Sequence, residues 1–140
     1  MRVQSLHKAF IMPTKGTSMA GAFDIYMPEP GRVCELFPTT VALGFSAQVS
    51  PGHVALLLPR SGVGCRFGLE LMNTCGVIDA DYQGEWKAVL KTKGSQPYAW
   101  AAKERILQFL VVPVANVTLE LGDPFQVTER SHDGFGSTGK

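Results

Sequence analysis

The sequence has no excess of either charge. Thirteen Lys and Arg stand against twelve Asp and Glu in 140 residues, for a net charge of +1. That argues against a protein whose main task is to neutralise a nucleic-acid backbone. Long apolar runs are missing too. None approaches the ~20 residues that a membrane helix needs, and the N-terminal "MRVQSLHKAF" has no apolar signal stretch. Neither nucleic acid nor membrane is therefore expected as a partner. Cysteine is sparse: Cys34, Cys65 and Cys75 are odd in number and show no C-x-x-C spacing. They read as reduced thiols of a cytoplasmic compartment, with the nucleus open for a viral or eukaryotic source. With three scattered histidines (His7, His53, His132) they make a poor zinc constellation. Long helices are hard to place among fifteen Gly and nine Pro.

What remains is short apolar segments. "TTVALGFSAQV" puts Val41, Leu43, Phe45, Ala47 and Val49 on one side of a period-2 pattern, which predicts a half-buried strand. "SPG" at 50–52 predicts a turn and "HVALLLP" a buried strand. "EWKAVLKTK" alternates loosely and carries exposed lysines. "RILQFLVVPV" is continuously apolar, with "VTLEL" after it. Short strands separated by turn signals predict a single all-β domain, a barrel or sandwich. From about Val127 the chain turns polar and glycine-rich, "TERSHDGFGSTGK". Residues 1–126 are thus expected to form the domain and 127–140 a mobile arm.

Five segments could carry chemistry. "GVIDADYQGEW" (76–86) holds Asp79 and Asp81 at strand spacing, with Tyr82 and Gly84 in what reads as a tight hairpin. A solvated acidic turn explains it. So does a buried carboxylate beside a tyrosine that orients water as a general base. "PRSGVG" (59–64) combines guanidinium, hydroxyl and glycine, a set able to hold phosphate or simply to make a surface loop. "KERILQ" (103–108) reads singly as an edge charge cluster. "AGAFDIY" (20–26) offers Asp24, a turn aspartate or a metal's helper. The terminal "GFGSTGK" nearly matches a phosphate-binding Walker loop, but no residue follows Lys140 to start the helix that such a loop needs.

Taken in order, "AGAFDI", "PRSG", "GVIDADYQGE", "ERILQ" and "GFGSTG" resemble the five motifs of the trimeric dUTPase family, from about Ala20 to Gly139. The resemblance implies a jelly-roll-like β-barrel of the β-clip type. It also implies a homotrimer whose active sites each draw on three chains, with the arm closing over a neighbour's nucleotide. The implied reaction is hydrolysis of dUTP to dUMP and pyrophosphate by water attack on the α-phosphorus, which lowers dUTP and supplies dUMP for thymidylate synthesis. By resemblance Asp79 is the general base, and Asp24 touches a Mg2+ ion through water. Arg60, Ser61, Gly62 and Gln108 bind phosphate oxygens. The segment Asn73 to Ile78, with Gly76 and Val77, reads uracil through backbone groups in a narrow hairpin. Tyr82 packs under the deoxyribose and leaves no room for a 2′-hydroxyl, and Lys87 contacts nucleotide. From the arm, Phe135 stacks on uracil, Arg130, Ser137 and Thr138 hold the terminal phosphates, and Gly136 also binds substrate. Arg105 shapes the fourth motif rather than touching substrate.

The sequence departs from the family pattern at Ala22, Lys103, Leu107, Ser131 and Asp133, and a carboxylate at Asp133 repels a triphosphate unless it points away. Two other readings compete. A dCTP deaminase of the same fold needs a glutamate near the pyrimidine, for which Glu85 and Glu70 are available. A dUTPase-like regulatory binding protein is expected to carry insertions, and none separates these motifs.

Overall fold

The computed structural model describes residues 1–128. Eleven strands and one short helix make it nearly all-β: β1 (Arg2–Ser5), β2 (Phe23–Tyr26), β3 (Gly31–Val33), β4 (Thr39–Ala42), β5 (Phe45–Gln48), β6 (His53–Pro59), α1 (Ser61–Phe67), β7 (Leu69–Leu71), β8 (Gly76–Ile78), β9 (Lys87–Thr92), β10 (Tyr98–Trp100) and β11 (Arg105–Pro113). All pairings are antiparallel. A four-stranded sheet runs β2-β11-β6-β8 and a three-stranded sheet β4-β9-β7, with two-stranded ribbons β1-β5 and β10-β3. The architecture is jelly-roll-like. Its hydrogen-bonded ladders do not join into one closed barrel among the described residues.

One core serves all four ladders. It gathers Ile25, Leu57, Leu107 and Phe109 from the larger sheet, Leu69, Leu71, Ala88 and Leu90 from the smaller, and Phe45, Val33 and Trp100 from the ribbons. Trp86 sits at its centre, with its ring 5.1 Å from Phe45 and 5.1 Å edge-on from Phe109. Period-2 alternation produces this core, because every second side chain of a strand faces the same way.

Several local expectations need correction. "TTVALGFSAQV" forms two strands rather than one. Gly44 has φ +76° between β4 and β5, and the chain there leaves one ladder for another. Leu43, Phe45, Ala47 and Val49 are still buried, so the apolar pattern survived the break. The "PRSGVG" segment is not a loop: Ser61 and Gly62 open α1. "VTLEL" joins no strand, and residues 114–128 are exposed and without regular structure. Nor is either stretch around the third motif a hairpin. Strand β8 pairs with β6, whereas β7 and β9 pair with each other, so 72–75 and 79–86 are connections that cross between sheets. Apolar runs at both ends of a turn imitate hairpin arms, and only long-range pairing tells the two apart.

Candidate active site

Two clefts hold part of what the sequence singles out, while Asp24, Ser61, Gly62 and Gln108 line neither of them. The first, of about 240 Å³, is lined by Asn73, Gly76, Val77, Ile78, Asp79, Tyr82 and Lys87, together with Leu57 and Trp86. Strand β8 builds one wall. It is an edge strand, so no other strand takes the backbone groups on its outer side. Such free peptide groups can read the donor–acceptor edge of a flat heterocycle. Gly76 allows β8 to pass close to β6, since a Cβ there would meet the Leu57 Cβ at 3.0 Å.

Beyond β8 the chain turns, with the Tyr82 N–H donating to the Asp79 carbonyl at 3.2 Å. This places the Asp79 carboxyl, the Tyr82 ring and the Lys87 ammonium around one cleft. The Tyr82 hydroxyl donates to the Glu85 carbonyl at 3.0 Å, and a Cβ on Gly84 would lie 2.5 Å from that hydroxyl. Gly84 is therefore the space in which the ring sits. Asp79 is exposed in the single chain and not the buried carboxylate that the sequence left open. It lies past the end of β8, so it shares no strand face with Asp81.

The second cleft, of about 760 Å³, lies beside α1 and the start of β11, with Arg60, Tyr98, Lys103, Glu104 and Arg105 in its lining. Burial, then the nearby Glu104 carboxylate, holds the Tyr98 phenol above its usual pKa. Strands β2, β11 and β6 are neighbours, and they bring three motifs together. Asp24 on β2 is 7% exposed. Its Oδ1 forms an ion pair with Arg60 Nε at 2.9 Å, and its Oδ2 accepts from Arg105 Nη1 at 3.2 Å. Arg60 also donates to the Arg105 carbonyl at 3.0 Å. Gln108, opposite Asp24 on β11, donates to the Pro59 carbonyl at 3.1 Å. The N–H groups of Ser61 and Gly62, in the first turn of α1, have no hydrogen-bond partner among the described residues.

The arrangement gives an edge strand beside a carboxylate and a tyrosine, and separately an arginine, a hydroxyl and free N–H groups suited to an anion. No residue lines both clefts. Arg130, Phe135, Gly136, Ser137 and Thr138, with the departures Ser131 and Asp133, lie outside the described residues. Sequence reading missed the double arginine grip on Asp24 and the place of Trp86 in the first cleft. One signal was present: Ile106 and Leu107 are adjacent and both apolar, which breaks strict alternation at the point where β11 carries a bulge.

Comparisons with known proteins give the family and the fold. The dUTPase family profile matches residues 8–139. The deoxyuridine 5′-triphosphate nucleotidohydrolase of Chromobacterium violaceum is 41% identical over 112 residues, 80% of this chain and 72% of that protein. The enzyme of the same description from Neisseria meningitidis serogroup C is 36% identical over 99% of this chain and 95% of its own length. Among solved structures, the dUTPase of Staphylococcus bacteriophage 80alpha with dUPNHPP superposes with a TM-score of 0.88 at 25% identity, covering 99% of this chain and 98% of that one.

Proposed function

The chain belongs to the dUTPase family and hydrolyses dUTP, and we propose that it does so by water attack on the α-phosphorus with Asp79 as the general base. The observation that carries the proposal is the first cleft, where Asp79, Tyr82 and Lys87 meet the free edge of β8. The bond from water oxygen to the α-phosphorus forms as the bond to the bridging oxygen of the leaving pyrophosphate breaks. The water proton passes to the Asp79 carboxylate. Backbone groups of Gly76 to Ile78 read uracil, and the methyl of thymine clashes. Cytosine presents the reverse pattern and leaves buried groups unpaired. Tyr82 under the sugar refuses a 2′-hydroxyl.

The phosphates lie against Arg60, Ser61, Gly62 and Gln108. A single nucleotide has to reach both clefts, and no lining residue is common to them. This supports a site shared between copies of the chain, and we propose the homotrimer with the 127–140 arm closing over a neighbouring site through Arg130, Phe135, Gly136, Ser137 and Thr138. Val117, Leu119 and Leu121 alternate along an exposed segment, and Leu119 is 92% exposed. Another subunit would cover that apolar row. A cytoplasmic setting fits the three free cysteines.

The residues present fit a Mg2+ ion that arrives with the nucleotide. Among the described residues no cluster of three His, Cys, Asp or Glu could hold a metal directly. Each Asp24 oxygen already carries an arginine, which leaves lone pairs for a water but little room for an ion. Such an ion supplies charge neutralisation of the triphosphate and fixes its conformation.

The test is pyrophosphate release across four nucleotides with magnesium. The expected outcome is turnover of dUTP, with dTTP, dCTP and UTP poor. Comparable turnover of UTP would remove the role given to Tyr82, and ammonia from dCTP would move the chemistry to a deaminase.

A further inference from the structure

The sequence reading left Arg105 as a residue that shapes its own motif, and the structure gives it a more specific task. Strand β11 shifts register between Arg105 and Leu107. Ile106 and Leu107 are both buried, so one extra residue sits in the strand there. A bulge of this kind re-aims the side chain beside it. In an unbroken strand Arg105 and Gln108, three apart, would face opposite sides. With the bulge, both lie on the side away from the core, next to Asp24 and Arg60.

Two contacts then matter. The Arg105 guanidinium takes Asp24 Oδ2, and the Arg105 carbonyl accepts from Arg60 Nη1. An arginine facing a lone carboxylate prefers the two-bond fork, which engages both oxygens. Here the second oxygen is already taken. Arg60 meets Asp24 with Nε at the other oxygen, Oδ1, and its Nη1 is tied to a backbone oxygen. Among the described residues no hydrogen bond engages the Nη2 end of its guanidinium, which is left over for an anion. The Arg105 guanidinium lies 5.8 Å from the Tyr26 ring centre, and the Tyr26 hydroxyl is 2.8 Å from the Thr14 hydroxyl, so Arg105 is itself braced.

We propose that Arg105 is a positioning residue for nucleotide phosphate. It occupies Asp24 Oδ2 so that the buried carboxylate orients Arg60 without capturing its whole fork. The proposal rests on the dUTPase reading for the identity of the anion. Without Arg105, Asp24 closes on Arg60 with both oxygens, and a triphosphate has to break that pair before binding.

Calorimetric titration with the α,β-imido analogue of dUTP and with dUMP tests it, using Arg105→Met, Arg60→Met and the double variant. Arg105→Met is expected to weaken the triphosphate analogue by about tenfold, the size of one charge-assisted hydrogen bond, and dUMP by less. The double variant should bind no more weakly than Arg60→Met alone, since Arg105 acts through Arg60. Losses that multiply would mean that Arg105 touches phosphate itself and would overturn the proposal. Equal losses for both ligands would mean a purely structural role and would overturn it too. If melting shows that Arg105→Met does not fold, the same criteria apply to Arg105→Gln, alone and combined with Arg60→Met. A parent protein that fails to bind the imido analogue sinks the dUTPase reading instead, before any variant is compared.

Discussion

Asp79, the proposed general base, has little protection in the single chain. It is exposed in the single chain, just past the end of β8, and its backbone carbonyl is fixed by the Tyr82 N–H. In the proposed trimer, the nucleotide and a neighbouring subunit would enclose this carboxylate. Asp79→Asn keeps shape and removes the proton acceptor. Turnover is expected to fall by about 100-fold to 10,000-fold while the imido analogue binds within a few-fold of the parent. Activity close to the parent's in a stopped-flow pyrophosphate assay would take Asp79 out of the mechanism. At this scale the sequence names the candidates, because motif spacing carries residue identity directly. What it did not disclose was ionic partnership. Asp24 and Arg105 are 81 positions apart, and only the β2–β11 pairing makes them neighbours. Lys103 shows the same limit: it stands where the family has glycine, and its φ of +70° explains why glycine suits that position.

Among the elements, the connection from Asp79 to Trp86 is the one to which the proposed sugar discrimination is assigned. It is not a hairpin, since β8 and β9 belong to different sheets, and it leaves one ladder to enter another with the Tyr82 ring folded over Gly84. A Cβ at 84 would meet the ring's hydroxyl and Cζ at 2.5 and 2.7 Å. The ring end is free to swing, as Tyr82 is itself exposed. Gly84→Ala is therefore expected to displace Tyr82 and break its bond to the Glu85 carbonyl, rather than unfold the chain. The expected readout is a roughly tenfold rise in KM for dUTP, equivalent to about 1.4 kcal/mol, with a narrower dUTP-to-UTP preference and a melting temperature shifted by only a few degrees. A large drop in melting temperature with the preference unchanged would mean that Gly84 serves the fold and not the sugar pocket. Strand existence was legible for β6 and β11 because their apolar runs are long. Partner choice was not, since local alternation says which face is buried but not which strand lies alongside.

At the scale of the whole molecule the single chain looks unfinished. The cleft beside β8 and the cleft beside α1 share no lining residue, and the row Val117, Leu119, Leu121 is exposed after β11 ends. Nothing in the local pattern of "VTLEL" signals that it pairs with no strand among the described residues. A period-2 pattern predicts a strand and is silent on whether the neighbour is the same molecule. The shared site can be tested by complementation. One chain carries Asp79→Asn with its arm intact, and a second keeps Asp79 but lacks residues 131–140. Each alone should form an inert trimer. Unfolded together in equal amounts and refolded, they exchange subunits, and about three quarters of the trimers are mixed on random assembly. If Asp79 and the arm of one site come from different chains around a closed ring, every mixed trimer holds one complete site of three. Recovered pyrophosphate release should then reach about a quarter of the parent's at most. Arg60 and Arg105 are intact in both partners, so their arrangement does not enter the count. A mixture that stays inactive while light scattering shows trimers for both partners would mean that Asp79 and the arm act within one chain, or that the arm takes no part.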